Sequence, residues 1–410
     1  MTVKKEKTCP EPGRRILVAM SGGVDSSVAA ALLVKAGYEV TGMFAVNYED
    51  AITTPPHANG APLLRKEGTN KCWVPDYQDA LRVAAHLGIP LMRWNFVKEY
   101  QKFVLDYMYK EYSAGRTPNP DILCNKFVKF GFWLNKAREM GFDKLATGHY
   151  AKIKRLKDYK IKLLQAKDSN KDQTYFLHQL TQEQLQHVLF PIGEYTKPEV
   201  RKLAEKFKLP TAKKEESMGI CFIGEVPMRD FLKDKVKAKS GKIVNTAGEI
   251  VGEHTGLPFY TIGERVGVSL RGGQQPTKQS HTKQGIATPR SSVVRDDSTK
   301  PLFVINKDIK KNVLIIGFED DPLLYKKEIN VGQVNWIGQT PKLPLKCKVR
   351  LRHRQELQEC LVISSLRRRS TSPQAGEVVI KFTKPQRAIT PGQFAVFYLR
   401  GECLGGGVIS

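Results

Sequence analysis

Apolar and polar positions alternate in two different rhythms along this chain. In the first half, short apolar runs are separated by runs with helical spacing. ILVAM, then SVAAALLVKAG, then YEVTGMFAV reads strand, helix, strand. DALRVAAHLG followed by IPLMRWNF repeats the unit, and FVKFGFWLNKAREMG followed by DKLATGHYA repeats it again. Helices of this length between strands predict βαβ units and a parallel sheet. Gly37, Gly88 and Gly141 each fall just after a helical run, where a left-handed cap is needed. Glu49 to Lys71 is polar, rich in Pro and Gly, and reads as a long loop or insertion. From about Lys213 the pattern becomes short and loop-rich, and Arg271 to Asp297 has no periodicity at all. After Pro301 come short alternating runs: LFVIN, NVLIIGF, KCKVRLRH, ECLVIS, VVIKF and QFAVFYL. Regular short strands with turn residues between them predict a small all-β barrel. The expected organisation is an α/β parallel-sheet domain over 1–212, a small central domain over 213–297 and a C-terminal β-barrel over 298–410.

Composition adds a partner. The 410 residues carry a net charge of +25, and such an excess attracts polyanions, of which phosphate backbones are the usual ones. No apolar run approaches the length of a membrane span, so no membrane partner is expected. The first residues, MTVKKEKTCPEPGRR, lack an apolar core segment, which argues against secretion. The seven cysteines are odd in number and scattered, and none forms a C-x-x-C pair. That pattern fits a reducing compartment and indicates neither a disulfide scaffold, a zinc ribbon nor an iron–sulfur site.

The candidate chemistry begins at SGGVDSS, Ser21 to Ser27, where a strand ends and a helix begins. Backbone N–H groups point outward there and the helix dipole favours an anion. Gly22 and Gly23 let the backbone approach phosphate, and Ser21, Ser26 and Ser27 offer hydroxyls. Asp25 repels bare phosphate, so its expected role is indirect, through Mg²⁺. A Walker loop uses lysine to reach the β- and γ-phosphates. Its absence here predicts that pyrophosphate departs and that attack falls on the α-phosphate. The loop resembles the pyrophosphatase loop of adenine nucleotide α-hydrolase enzymes, which adenylate a carbonyl or carboxylate oxygen. Two cysteines stand out further along. In GRTPNPDILCNKFVKF the prolines fix an extended approach and a helix is predicted to begin near Asp121. Cys124 then lies in its first turn, on the same face as Asp121, where the dipole favours a thiolate. Cys221 lies in KKEESMGICFIGE between Gly219 and Gly224. Taken alone, Cys124 reads first as a small buried core residue, and Cys221 in the apolar run ICFI can also be one.

The wider set of motifs is more specific. AMSGGVDSS, GRTPNPDILCNKFVKF, ATGHYAK, KDQTYFL, KEESMGICFIGE, GLPFYTIGERVG, PLLYKKE, AITPGQFAVFY and LGGGVI occur in this order between Ala19 and Ile409. In these stretches the chain resembles the tRNA-specific 2-thiouridylases, and most of all their mitochondrial branch. The resemblance implies ATP-dependent replacement of the C2 oxygen of a wobble uridine by sulfur. It places ATP against Ala19, Met20, Ser21, Gly22, Gly23, Val24, Asp25, Ser26, Met43 and Gly148. It makes Cys124 the nucleophile, Cys221 the persulfide carrier, the two together a transient disulfide, and Asp121 a general base. It assigns tRNA contacts to Asn119, Pro120, Asp121, His149, Lys171, Asp172, Gln173, Arg352, His353 and Gln393. It also implies a sulfur-donor protein and a mitochondrial location, with the cytoplasm as the alternative. Read without it, Asp172 is a helix cap, Gln393 a turn residue and His149 a satisfied strand-end histidine. Two rival classes are an amide-forming ligase with the same loop and a noncatalytic RNA-binding protein. The first needs neither the paired cysteines nor a basic barrel, and the second needs neither Asp25 nor Cys221.

Overall fold

The computed structural model describes residues 13–49, 73–157, 160–215, 228–233, 235–267, 300–365 and 376–410. Cys9, Cys72 and Cys221 lie outside them, as do nearly all of the Glu49–Lys71 and Arg271–Asp297 segments.

The first domain is built as the 3.6-residue rhythm demands. Strands β1 (Arg15–Ala19) and β2 (Glu39–Val46) flank helix α1 (Val24–Lys35), and helix α2 (Val74–Leu87) leads to β3 (Leu91–Asn95). Strand β4 (Lys144–Ala146), a hairpin of β5 (Lys152–Arg155) and β6 (Ile161–Leu164), and β7 (Val188–Leu189) follow. The sheet order is β3-β2-β1-β4-β7, and every pairing is parallel. β2 is buried over seven of its eight residues, as a strand covered by helices on both faces must be. Gly37, Gly88 and Gly141 have φ of +83°, +66° and +78°, the left-handed caps expected of them. From β1 the chain turns to β2 on one side, while β4 pairs on the other. The loop after β1 therefore opens into the crevice where strand order reverses, the usual ligand position in such sheets.

The central domain is a second five-stranded sheet. It contains β8 (Gly241–Asn245), β9 (Ile250–His254), β10 (Arg265–Val266), β11 (Leu302–Asp308) and β12 (Val313–Phe318), in the order β10-β11-β12-β8-β9. The last two strands are LFVIN and NVLIIGF, which alternation groups with the barrel; they lie beyond the expected 297/298 boundary yet pair in the central sheet, which therefore extends to Phe318. A hairpin of β8 and β9 alone is too small to be stable in water, and β12 completes it by pairing in parallel with β8. Alternation shows which face of a strand is buried but not which sheet receives it.

The third domain contains β13 (Tyr325–Trp336), β14 (Leu345–Arg350), β15 (Gln358–Ser364), β16 (Val378–Arg387), β17 (Phe394–Leu399) and β18 (Glu402–Ile409). Their order is β13-β16-β15-β14-β17-β18, and β13 pairs with β18 to close the barrel. The first residues of β18 also pair with β6, Glu402 opposite Leu164 and Cys403 opposite Leu163. Phe394, Val396, Tyr398 and Cys403 consequently pack in one core with Tyr100, Phe130 and Tyr175 of the first domain.

Candidate active site

The loop Met20–Gly23 is held from three sides. Met20 N–H donates to the Met43 carbonyl at 2.8 Å, which fixes the start of the loop to β2. Ser26 Oγ lies 3.1 Å from the Gly23 carbonyl and accepts from Ser21 N–H at 3.2 Å, and Ser27 Oγ donates to the same carbonyl at 2.7 Å. Gly22 adopts φ +73° and lies so close to α2 that a Cβ there would meet the Asp76 carbonyl oxygen. Gly148, just beyond β4, approaches the first turn of α1: a Cβ would sit 2.8 Å from Ser26 N and 2.9 Å from the Asp25 carbonyl carbon. Only glycine lets the two strands at the crevice close on the helix N-terminus. Of the neighbouring residues, Val24 and Met43 are buried and Ala19 is partly so.

Asp25 faces the crevice with its carboxylate already engaged. Lys197 Nζ lies 2.8 and 2.9 Å from its two oxygens, and Tyr150 OH donates to it at 2.9 Å. Lys197 opens the helix Lys197–Lys206, whose Thr196–Glu199 capping box fixes its first turn beside the loop. Lys197 and Tyr150 were missed in the sequence. No local spacing relates residue 197 to residue 25, and only the folded sheet brings them together.

The segment carrying Cys124 is positioned by all three domains. Arg116 makes two bonds to the buried Glu111, at 2.5 and 2.6 Å, and this pair raises the guanidinium pKa further. Thr117 N–H donates to Pro391 O at 3.0 Å, Thr117 Oγ1 lies 3.4 Å from Thr261 Oγ1, and Gln393 Nε2 donates to the carbonyls of Thr117 and Pro118. Asn119 caps the helix Pro120–Leu123 by accepting from Ile122 N–H, so the helix begins one residue before the position expected. At Cys124 the winding loosens into a π-helical stretch, Cys124–Trp133. Asp121 is half-exposed, whereas Cys124 is fully buried in the main core. Two residues expected on one face thus differ in exposure.

The remaining predicted residues form a connected band. His149 is buried between Phe130 and Phe190, bonded to Thr147 Oγ1 at 2.6 Å. Burial, and then the nearby Lys129 charge, hold its imidazole pKa well below 6.5. Gln173 Oε1 accepts from Tyr150 N–H at 2.9 Å. Asp172, with its side chain fully buried, accepts from Ala166 N–H, Gln165, Thr174 and Arg350 of the barrel. That ion pair brings Lys171–Gln173 against Arg352 and His353. His353 sits 4.5 Å from the Phe176 ring centroid, and burial followed by the Arg354 and Arg350 charges lowers its pKa to about 4. Arg352 is exposed at its edge and donates to Ala388, Ile262 and Thr390. The structure therefore joins two segments expected to contact tRNA, through the ion pair of Asp172 and Arg350, 178 residues apart. Whether Cys124 meets Cys221 lies outside the described residues.

Fold and loop together define a class: a HUP-type α/β domain with an anion-binding loop at its switch point, followed by two β domains. Residues 14–225 match the tRNA methyl transferase HUP domain model, 229–318 the PRC-barrel domain model of the same family, and 326–409 the aminomethyltransferase β-barrel domain model. Over 399 residues the chain is 41% identical to the tRNA-specific 2-thiouridylase MnmA of Streptococcus sanguinis, covering 96% of this chain and 95% of that protein. It is 42% identical over 400 residues to the enzyme of the same name from Lysinibacillus sphaericus, covering 96% and 94%. The Bacillus pumilus protein of that name is 41% identical over 416 residues, covering 100% and 96%. The chain belongs to the tRNA-specific 2-thiouridylase family.

Proposed function

We propose that this protein is a tRNA-uridine 2-sulfurtransferase that activates its target with ATP and delivers sulfur as a persulfide. The observation that carries the nucleotide half is the cradle at Met20–Ser27, with the Asp25–Lys197–Tyr150 cluster at its mouth. Helix N–H groups and the Lys197 ammonium bind phosphate oxygens, and the loop has no lysine placed to follow a γ-phosphate. Asp25 is a single carboxylate, and no group of three acidic, His or Cys side chains suited to a metal occurs among the described residues. That donor set fits Mg²⁺ held mainly by nucleotide phosphates with Asp25 at one corner. When bound, the ion neutralises charge on the departing pyrophosphate.

In this reading the base O2 attacks the α-phosphorus and pyrophosphate leaves. Asp121, half-exposed beside the capped helix start, takes the proton released from the base. The outer sulfur of a Cys221 persulfide attacks C2, the C–S bond forms, and AMP departs with the C2 oxygen. The Cys124 thiolate then attacks the Cys221 sulfur. The S–S bond to the base breaks, its electron pair stays on the thiouridine sulfur, and a Cys124–Cys221 disulfide remains for an external thiol to reduce. In the alternative order the Cys124 thiolate first attacks the Cys221 sulfur of the persulfide, a Cys124–Cys221 disulfide forms, and the released sulfide then attacks C2. Cys124 is fully buried, so either order requires the first turn of its helix to open around the base. The band of Lys171, Arg352, His353 and Arg354 supports a tRNA backbone crossing from the crevice to the barrel, and a donor protein supplies the persulfide. The test is nucleoside mass spectrometry after incubation of tRNA with ATP, a sulfide source and protein. The expected products are 2-thiouridine, AMP and pyrophosphate; ADP with orthophosphate, or no thiolated base, overturns the reading.

A further inference from the structure

The side chain of Lys214 reaches the phosphate loop with its ammonium. Nζ lies 3.1 Å from the Gly22 carbonyl oxygen, 2.6 Å from Asp76 Oδ1 and 2.6 Å from Asp79 Oδ2. An ammonium has three N–H bonds, and these three acceptors use all of them. Asp79 is also bonded to Arg82 at 3.3 Å, and the Lys214 backbone carbonyl accepts from Arg201 at 2.5 Å. The lysine is thus fixed at both ends.

The consequence follows from peptide geometry. The Gly22 carbonyl and the Gly23 N–H belong to one planar trans peptide and point in opposite directions. A grip on the carbonyl from the α2 side turns the Gly23 N–H to the other side, into the anion cradle. A peptide between two glycines otherwise turns with little hindrance. We infer that Lys214 is a positioning residue that locks the Gly22–Gly23 peptide with its N–H aimed at the nucleotide phosphates. It touches no substrate. Without its ammonium, the Asp76 and Asp79 carboxylates would face the Gly22 carbonyl with no cation between them, and like partial charges would turn the peptide over.

This inference rests on the nucleotide reading of the loop, and the experiment separates the two. ATP binding to the full-length protein is measured by equilibrium dialysis, alongside tRNA-dependent AMP release. Lys214→Met should raise the ATP Kd and KM about tenfold, the loss of one charge-assisted contact, about 1.4 kcal/mol. Its kcat at saturating ATP should stay within about threefold, because the reacting groups are untouched. Lys214→Arg should recover most of the affinity, which a general loss of packing would not allow. Asp79→Asn, which keeps the lysine but weakens its hold, should give a smaller rise in KM and covers the case in which Lys214→Met fails to fold. An unchanged ATP KM in folded Lys214→Met, a loss confined to kcat, or no recovery with arginine overturns the assignment. Failure of the wild-type protein to bind ATP overturns the nucleotide reading instead.

Discussion

At the scale of single residues the crevice is shaped by where side chains are absent. Gly148 lets β4 approach the first turn of α1, and a methyl group there would collide with backbone that cannot retreat. Gly148→Ala should therefore lower kcat/KM for ATP about 100-fold, the cost of displacing reacting groups by an ångström. Gly338→Ala, where a Cβ meets nothing within 4 Å, should leave it unchanged, and steady-state kinetics on both variants decides the matter. Much of this site was legible in the sequence. The strand–loop–helix at Ile16–Lys35 announces an anion cradle through local chemistry alone. Lys197, Tyr150 and Lys214 were not legible as partners of the loop, because their roles arise from contacts across 125 to 192 residues. Cys124 shows the opposite limit. Its helical position was readable, but its complete burial depends on the π-helical turn that follows and on packing from other elements.

At the scale of elements, the short helix Thr174–Leu177 and the turn after it are clamped between the first domain and the barrel. His178 is fully buried there, its Nδ1–H donating to Tyr175 O at 2.7 Å and its Nε2 left without a hydrogen bond beside Phe394. Burial holds its pKa down at about 4. Above pH 6.5 neither the folded nor the unfolded chain carries the proton, and His178 adds no pH dependence. Between pH 6.5 and 4 the unfolded chain takes up a proton that the folded one refuses. Stability then falls by about 1.4 kcal/mol per pH unit, about 3 kcal/mol in all. In denaturant unfolding at pH 7 and pH 4, His178→Gln should lose about 3 kcal/mol less than wild type on acidification. Parallel pH profiles would show that this imidazole is not the group responsible. The parallel sheet was readable from rhythm because βαβ units are local. The assignment of β11 and β12 to the central sheet was not, since their partner β8 precedes them across the segment that has no periodicity.

At the scale of the whole molecule, charge and connectivity govern. Neutralising several tRNA phosphates releases counterions, so affinity should fall log-linearly with salt, about 10³-fold between about 50 and 200 mM for six contacts. Lys171→Gln should reduce the slope of that line by about one, as read by filter binding across a salt series; an unchanged slope removes Lys171 from the RNA surface. Deleting the barrel is not an equivalent test. β18 pairs with β6, and Phe394, Val396, Tyr398 and Cys403 fill the core around Cys124. The basic balance read from composition predicts a polyanion partner but says nothing of this interlocking. Its consequence concerns the order in which the protein is made. The nucleotide-binding domain is synthesised before the barrel, yet one wall of its interior comes from β17 and β18. Its hairpin edge and the space filled by Phe394 and Tyr398 stay uncovered until β17 and β18 have been made. A chain that stops before β17 leaves the first domain unfinished, with the apolar surface meant for Phe394, Val396 and Tyr398 exposed.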